Sequence, residues 1–246
     1  MNNIGFGIFC FGEDFYFKGT VEKINNILNA GHCCYVLTDK PEYFESKYTP
    51  TFTKIIPYYR SVKSYYDKMI LPKYILQKHD FCILIDADTN VTDWSFLDDL
   101  KTYNFKYGIS YVSTLLDHSI RKEYVKDIGM GHIEWSSYKL YIEKIFPEYG
   151  ELKTVWEYFL VINKNGFNSE RFYKVYEKLQ VAKEHSDLLM NKPIVGAGEG
   201  ISLMVGAKMS GSDIQKDDEL VELIKDKVRG VSMRHTPHKD LPSFMK

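Results

Sequence analysis

Two aspartates, Asp86 and Asp88, directly follow a short apolar run that begins at Phe81. The run reads Phe-Cys-Ile-Leu-Ile and is partly β-branched, which is typical of a buried strand in a parallel sheet. Ligands of such sheets bind beyond the carboxyl ends of the strands, and strand residues two apart point the same way. Two carboxylates at that edge suit Mg²⁺ or Mn²⁺, which keep water and substrate phosphates as their other ligands. The alternative is a pair of solvated acids in a loop, and the apolar strand leading straight into the pair favours the metal site.

A second candidate site surrounds Glu199. Glycines at positions 196, 198 and 200 allow backbone to approach a ligand closely, and Glu199 lies among them at a predicted helix start. Glutamate is also favoured in a first helical turn without any catalytic role, so both interpretations remain. The glycine spacing does not match a dinucleotide-binding fingerprint. Glu157 is a further candidate acid, since the alternation of its predicted strand could place it in a cleft.

An α/β framework must position these residues. Predicted strands cover residues 4–11, 33–38, 54–57, 81–85, 107–113 and 155–162. Predicted helices cover 20–30, 61–77, 94–100, 167–179 and 198–209, and Pro72 marks a kink or a second start in the second of them. This order predicts one α/β domain with a mainly parallel central sheet flanked by helices. Phe9, Thr38 and Asp39 lie at carboxyl ends of the first two strands and are candidates for ligand binding, although each alone is more often an ordinary strand-end residue.

Composition restricts the classes of function. The chain has 246 residues, of which 26% are charged, and a formal net charge of −1, so no basic field favours a nucleic acid partner. None of the cysteines forms a CxxC pair, and all lie in or beside apolar runs, which predicts reduced core thiols and a cytoplasmic protein. Neither a signal peptide nor a membrane span is expected, and peripheral attachment to a membrane is left open.

Three segments together resemble GT-A glycosyltransferases, in particular the retaining group that includes glycogenin and bacterial lipopolysaccharide galactosyltransferases. That group carries Tyr-x-Arg, an apolar triplet and proline ahead of the strand that ends in Asp-x-Asp; here Tyr66 to Pro72 precede that strand, and Lys68 stands where the arginine is expected. Residues 155–163 resemble the acceptor-side strand that ends in asparagine, and residues 232–239 resemble the C-terminal histidine segment. The predicted helix also carries basic residues that could face a phosphate or form a solvated face: Arg60, Lys63 and Lys68.

The resemblance implies a single GT-A domain over residues 1–246, with a nucleotide-sugar-binding half up to about residue 115 and an acceptor-binding half after it. It implies Mn²⁺ or Mg²⁺ as cofactor and a nucleotide-diphosphate sugar as donor, with UDP-sugar favoured. The acceptor would be a glycan, a lipid-linked sugar or a protein, configuration would be retained, and the oligomeric state is left open. The implied metal ligands are Asp86, Asp88 and His235, with His238 as second choice. The implied donor-binding residues are Phe9, Thr38, Asp39, Arg60, Lys68, Asp86 and Lys239. Glu199 is the implied nucleophile or electrostatic stabiliser, and Glu157 is the second choice.

Three other classes of protein are alternatives. A haloacid-dehalogenase-type phosphatase also carries a strand followed by Asp-x-Asp-x-Thr, although usually near its N-terminus and with a second strand ending in two acids. A nucleotidyltransferase would share the fold but requires a glycine-rich, arginine-containing loop after the first strand, which Gly12-Glu13-Asp14 does not provide. A non-catalytic sugar-binding module or degenerate transferase subunit has no need of an intact pair of acids.

Overall fold

The protein is built on a seven-stranded sheet with helices on both faces. The computed structural model describes residues 1–12, 14–59, 65–113, 147, 155, 157–189 and 199–230, without the side chains of 65, 66, 180–189, 199 and 201. The strands are β1 (Ile4–Cys10), β2 (Cys33–Thr38), β3 (Thr53–Pro57), β4 (Phe81–Asp86), β5 (Asn90–Val91), β6 (Ile109–Tyr111), β7 (Phe159–Asn163), β8 (Ile214–Lys216) and β9 (Val228–Arg229). The helices are α1 (Asp14–Asn29), α2 (Pro41–Glu45), α3 (Leu71–Ile75), α4 (Phe96–Leu100), α5 (Ser169–Leu189), α6 (Glu199–Ser210) and α7 (Asp218–Ile224), and a 3₁₀ helix (Tyr65–Ile70) precedes α3.

The central sheet is mainly parallel, as the sequence predicts. Its strand order is β3-β2-β1-β4-β7-β6-β8. The pairs β1–β2, β1–β4, β2–β3 and β6–β8 are parallel, whereas β7 runs antiparallel to both of its neighbours, β4 and β6. A separate ribbon pairs β5 with β9 in antiparallel fashion. Strands β2 and β3 therefore lie on one side of β1, and the chain then crosses over so that β4 pairs with the other side of β1.

Apolar side chains cover both faces of the central strands, which explains why the strands read as continuous apolar runs. All seven residues of β1 are buried. In β4, Ile83 and Ile85 belong to one core cluster, while Cys82 and Leu84 belong to the other. Because neighbouring strand residues point to opposite faces, these clusters are the two layers between sheet and helices.

Most predicted elements are present, with corrections at their ends. Helix α1 begins at Asp14 rather than residue 20, and the chain leaves it at Gly31, whose φ of +82° suits glycine. The predicted helix over 61–77 is divided in its described part into the 3₁₀ helix and α3, with Pro72 in the first turn of α3, which confirms the second start. Helix α6 ends before Gly211 as predicted, whereas α5 continues past residue 179 to Leu189.

The prediction that Glu157 lies on a strand is wrong. Glu157 and Tyr158 form a turn, and β7 begins only at Phe159. The four cysteines are free thiols, and three of them are buried, in agreement with their interpretation as core residues. Among the described helices, none combines the length and the apolar character needed to cross a bilayer.

Candidate functional site

The carboxyl ends of β1, β2 and β4 meet at one edge of the sheet. In the register of the sheet, Phe9 of β1 lies beside Asp86 of β4, and Cys10 of β1 lies beside Thr38 of β2. The boundary between β1 and β4 is where the strand order reverses, the position at which open α/β sheets form a ligand crevice. The structure therefore brings four predicted site residues to one edge: Phe9, Thr38, Asp39 and Asp86.

Phe9 and Thr38 contribute to this edge mainly through their backbone. The Phe9 ring is 7% exposed and packs edge-on against Tyr58, with ring centroids 5.0 Å apart. The Thr38 hydroxyl is fully buried and accepts a hydrogen bond from the backbone N–H of Lys40. Asp39, the next residue after β2, is half-buried. Of these three residues, only Asp39 is not buried.

A tight turn, rather than strand alternation, holds Asp86 and Asp88 together. The strand β4 ends at Asp86, and the N–H of Thr89 donates to the carbonyl of Asp86 at 3.1 Å, which closes the turn. The Thr89 hydroxyl is buried and donates to the carbonyl of Tyr158 at 3.1 Å, so the turn is fastened to the segment before β7. The sequence predicted the proximity of the two acids but attributed it to the two-residue period of a strand.

Lys68 forms a buried ion pair with Asp86. It lies on the 3₁₀ helix, its side chain is only 6% exposed, and its Nζ is 3.0 Å from Oδ1 of Asp86. The same ammonium group donates to the backbone carbonyl of Glu157 at 3.4 Å. Asp86 retains 28% of its side-chain exposure. Lys68 therefore links the end of β4 to the turn before β7; the sequence motif indicates a donor-binding residue here and does not predict its contact with Asp86.

The positive charges near Asp88 do not fully compensate its negative charge. Burial and, to a smaller extent, the neighbouring Asp86 carboxylate together raise the pKa of Asp88 to about 6, against the opposing effects of a backbone hydrogen bond, Lys68 and Lys23. Because like charges are crowded together here, a divalent cation would be stabilised between the two carboxylates. At neutral pH the Asp88 carboxylate is ionised and can act as a ligand.

Lys23 belongs to the site although the sequence interpretation did not include it. It lies on α1, is 6% exposed, and donates from Nζ to the carbonyl of Ala87 at 2.9 Å. The signal was present in the helical spacing, because Lys23 shares the buried face of α1 with Thr20, Ile24 and Ile27. A lysine on the apolar face of a helix requires a buried partner, and here that partner is the loop between the two acids.

The start of α6 packs against Glu157. A Cβ atom added to Gly200 would lie 2.0 Å from the carbonyl oxygen of Val155 and 2.4 Å from Oε1 of Glu157, so only glycine allows this approach. Glu199 is the first residue of α6 and therefore lies next to this contact, although its side chain is outside the described set. Lys68 donates to the backbone carbonyl of Glu157 and pairs with Asp86. The segments that carry Glu157 and Glu199 therefore lie near the end of β4 that carries Asp86.

The predicted ligands near the C-terminus and two predicted basic residues fall outside the described residues: Arg60, Lys63, His235, His238 and Lys239. The chain nevertheless approaches the acids before that point. Arg229 of β9 pairs with Asn90 of β5, two residues beyond Asp88.

The described donor set fits Mn²⁺ or Mg²⁺ bound jointly with a substrate. Within the described ranges, no group of three histidine, cysteine or acidic side chains could hold a metal by itself. Asp86 and Asp88 supply two carboxylates, and such ions are commonly held by one or two carboxylates with substrate phosphates completing the shell. A cation between the two carboxylates would relieve the repulsion from Asp86 that contributes to the raised pKa of Asp88.

Comparisons with known proteins give matches among solved structures only. No protein-family model matches the sequence, and no curated protein matches it significantly. The chain is similar to the apo form of the glycosyltransferase GlyE of Streptococcus pneumoniae TIGR4, with 14% identity and a TM-score of 0.48, over 89% of this chain and 46% of GlyE. It is also similar to the galactosyltransferase LgtC in complex with donor and acceptor sugar analogues, with 12% identity and a TM-score of 0.48, over 85% of this chain and 72% of LgtC. The chain thus spans about half the length of GlyE. Both matched proteins are glycosyltransferases.

Proposed function

We propose that this chain is a metal-dependent glycosyltransferase that moves a sugar from a nucleotide-diphosphate sugar to a glycan, glycolipid or protein acceptor, with retention of configuration. One observation carries the proposal. Asp86 and Asp88 lie at the carboxyl end of β4, where the strand order reverses, and the buried ammonium of Lys68 is 3.0 Å from Asp86. A crevice at the sheet edge that contains two carboxylates and a buried cation suits a metal–diphosphate ligand better than an uncharged ligand.

The charges of the site match the needs of a departing diphosphate. Transfer from a nucleotide sugar breaks the bond to the diphosphate, and negative charge grows on the phosphate oxygens as it breaks. A divalent metal bound by Asp86 and Asp88 would supply positive charge to those oxygens. Lys68, which contacts Asp86, would contribute a second, fixed cation. His235 and Lys239 would add an imidazole ligand and a phosphate contact, as the sequence resemblance implies.

The nucleoside would bind beside the acids at the ends of β1 and β2. The carboxylate of the half-buried Asp39 would accept hydrogen bonds from ribose hydroxyls, and Phe9 and Thr38 would lie beside the base, as the sequence resemblance implies. Among nucleotide sugars, we favour a UDP-sugar as donor.

Two acids are proposed for the sugar side of the reaction. Glu157 is half-buried in the turn before β7, and Glu199 begins the helix that packs against it. A carboxylate near the anomeric carbon would stabilise the positive charge that develops there, or attack it as a nucleophile. We keep Glu199 as first choice and Glu157 as second, in the order that the sequence resemblance implies.

The test is donor turnover. The protein is incubated with individual nucleotide sugars, with Mn²⁺ or with a chelator, and release of the nucleoside diphosphate is followed by mass spectrometry. We expect release from one donor, dependent on Mn²⁺ and abolished in Asp88→Asn. Asp80→Asn is the matched control, because Asp80 is an exposed acid next to the opposite end of β4. Hydrolysis of p-nitrophenyl phosphate without release from any nucleotide sugar would replace the transferase with the phosphatase alternative.

A further inference from the structure

Two tyrosines from separate parts of the fold contact the residues on either side of Lys68. The hydroxyl of Tyr58, the residue after β3, donates to Oδ2 of Asp67 at 2.5 Å. The hydroxyl of Tyr173, on α5, donates to the backbone carbonyl of Met69 at 2.9 Å. Asp67, Lys68 and Met69 are consecutive residues of the 3₁₀ helix. Each neighbour of Lys68 is therefore tied to another element of the protein.

Both tyrosines are themselves held in place. Tyr58 is 4% exposed, and its backbone N–H donates to the carbonyl of Thr38 at the end of β2, at 2.7 Å. The ring of Tyr173 packs edge-on against the core residue Phe172, with centroids 5.4 Å apart, and Nζ of Lys73 in α3 lies 4.2 Å from its centroid. Because these contacts fix the two rings, the hydroxyl groups hold the 3₁₀ helix in one position.

The 3₁₀ helix depends on such contacts more than an α-helix would. It spans six residues, whereas 3₁₀ runs of more than a few residues are uncommon because their hydrogen-bond geometry is poor. The carboxylate of Asp67 is also buried, and a buried carboxylate requires donors such as the Tyr58 hydroxyl. A displacement of this helix would move Lys68, whose Nζ lies 3.0 Å from Oδ1 of Asp86 and 3.4 Å from the carbonyl of Glu157.

We propose that Tyr58 and Tyr173 are positioning residues that hold Lys68 against Asp86, by fixing Asp67 on one side of it and Met69 on the other. The tyrosines place the ammonium group before any ligand binds. The inference rests on the proposed function only where Lys68 contacts a diphosphate, and there the tyrosines act on the ligand through Lys68.

The first experiment is a short pulse of acetic anhydride applied to the full chain without metal or nucleotide, with acetylation of each lysine measured by peptide mass spectrometry. Lys68 is 5% exposed and Lys23 is 6% exposed, so each amino group reacts mainly when its surroundings open. We expect Tyr58→Phe and Tyr173→Phe each to raise the acetylation rate of Lys68 relative to that of Lys23 by about fivefold or more, the change in open population expected for one lost hydrogen bond. An unchanged ratio in either variant would overturn the role of that tyrosine.

The ratio of the two rates separates local opening from a general loss of stability. A substitution that only destabilises the fold raises both rates in proportion, because global unfolding exposes both lysines. Tyr35→Phe is the matched control: Tyr35 is 5% exposed, and its hydroxyl hydrogen-bonds with Nε2 of His79 at 3.1 Å rather than with the 3₁₀ helix. The ratio should not change in this variant. A rise as large as in the other two variants would overturn the proposal, because the loss of any buried hydroxyl would then loosen Lys68.

A second variant covers the Tyr58 contact if Tyr58→Phe alone does not fold. Its combination with Asp67→Asn removes the buried charge that the substitution leaves without this donor. The ratio of the rates should rise in the combined variant as well. An unchanged ratio there would overturn the role of Tyr58, and Tyr173→Phe tests the other side of Lys68 independently.

The second experiment measures the affinity for UDP by calorimetry in the presence of Mn²⁺. Tyr58→Phe should weaken binding by about threefold or more in the wild-type background, and by much less in Lys68→Met, since its effect passes through Lys68. Equal losses in both backgrounds, or no loss in either, would overturn the action of Tyr58 on the ligand. If the wild type does not bind UDP, the UDP donor of the proposed function is wrong, and the acetylation ratio still decides whether the tyrosines position Lys68.

Discussion

The ion pair between Lys68 and Asp86 gives a quantitative prediction for Lys68→Met. At their 3.0 Å separation, with an effective dielectric constant of about 20, the gross attraction between the two charges is about 5.5 kcal/mol. The substitution also removes the desolvation cost of the lysine, which is several kcal/mol. Since Asp86 keeps 28% of its exposure and can gain water, we expect a net loss of about 2–3 kcal/mol in the free energy of unfolding.

For a chain of this length, that loss corresponds to a fall in Tm of about 5–10 °C. The assay is thermal unfolding followed by circular dichroism, at neutral pH and in the presence of a chelator. Lys174→Met is the matched control: Lys174 pairs with Glu170 at 2.7 Å, but both side chains are more than two-thirds exposed. Exposed pairs of this kind contribute at most about 1 kcal/mol, so the control should change Tm by only a few degrees. If Lys68→Met changed Tm no more than Lys174→Met does, the buried ion pair at the end of β4 would not exist as described.

Three further predictions concern the surroundings of the acids and the pH dependence of the fold. Gly200→Ala should destabilise the protein by about 1–3 kcal/mol in urea unfolding, because the added methyl group meets the carbonyl of Val155 at 2.0 Å and backbone must move. A neutral or stabilising effect would show that α6 does not pack there. Asp86→Asn should lower the pKa of Asp88 below its value of about 6, as measured by carboxyl NMR, since one neighbouring negative charge is removed. An unchanged pKa would mean that burial alone causes the shift. Burial holds the pKa of His79 below the usual 6.5, so the unfolded chain binds the proton more tightly than the folded chain does. The stability that neutral His79 contributes is therefore present above pH 6.5 and is lost as the pH falls through the folded-state pKa. His79→Gln should therefore reduce the loss of stability between pH 7.5 and 5, and an unaltered pH dependence would contradict this.

The sequence predicts the central strands well because their apolar runs are unambiguous. The predicted boundaries of β2 agree with the structure, and those of β1 and β4 differ by one residue. The beginning of α1 was missed because Phe15 and Tyr16 interrupt the apolar stripe, and Phe15 is 67% exposed. The antiparallel direction of β7 cannot be predicted from the apolar pattern, because tertiary contacts decide the direction of a strand. The same holds for β5 and β9, whose pairing involves only two residues each.

The acids of the site could be predicted more readily than the cations. Asp86 and Asp88 follow a buried strand, and the local pattern alone places them at the sheet edge. Lys68 was identified by its motif, whereas Lys23 is separated from the acids by more than sixty positions, and its burial depends on where α1 packs. Glu157 was predicted to lie on a strand because its neighbours are apolar. In the structure Glu157 lies in a turn, and its backbone carbonyl accepts a hydrogen bond from Lys68, a long-range contact that no local pattern reveals.

The most direct test of the central claim is calorimetric titration with nucleoside diphosphates, each with Mn²⁺ and with a chelator. The two-carboxylate site predicts that one of them, with UDP favoured, binds only when Mn²⁺ is present. Its affinity should fall by about tenfold or more in Asp88→Asn, the loss expected when a charged ligand of the metal is removed, and should be unchanged in Asp80→Asn. Equal binding with the chelator, equal binding by Asp88→Asn, or no binding of any nucleoside diphosphate would contradict a metal–diphosphate site at the end of β4.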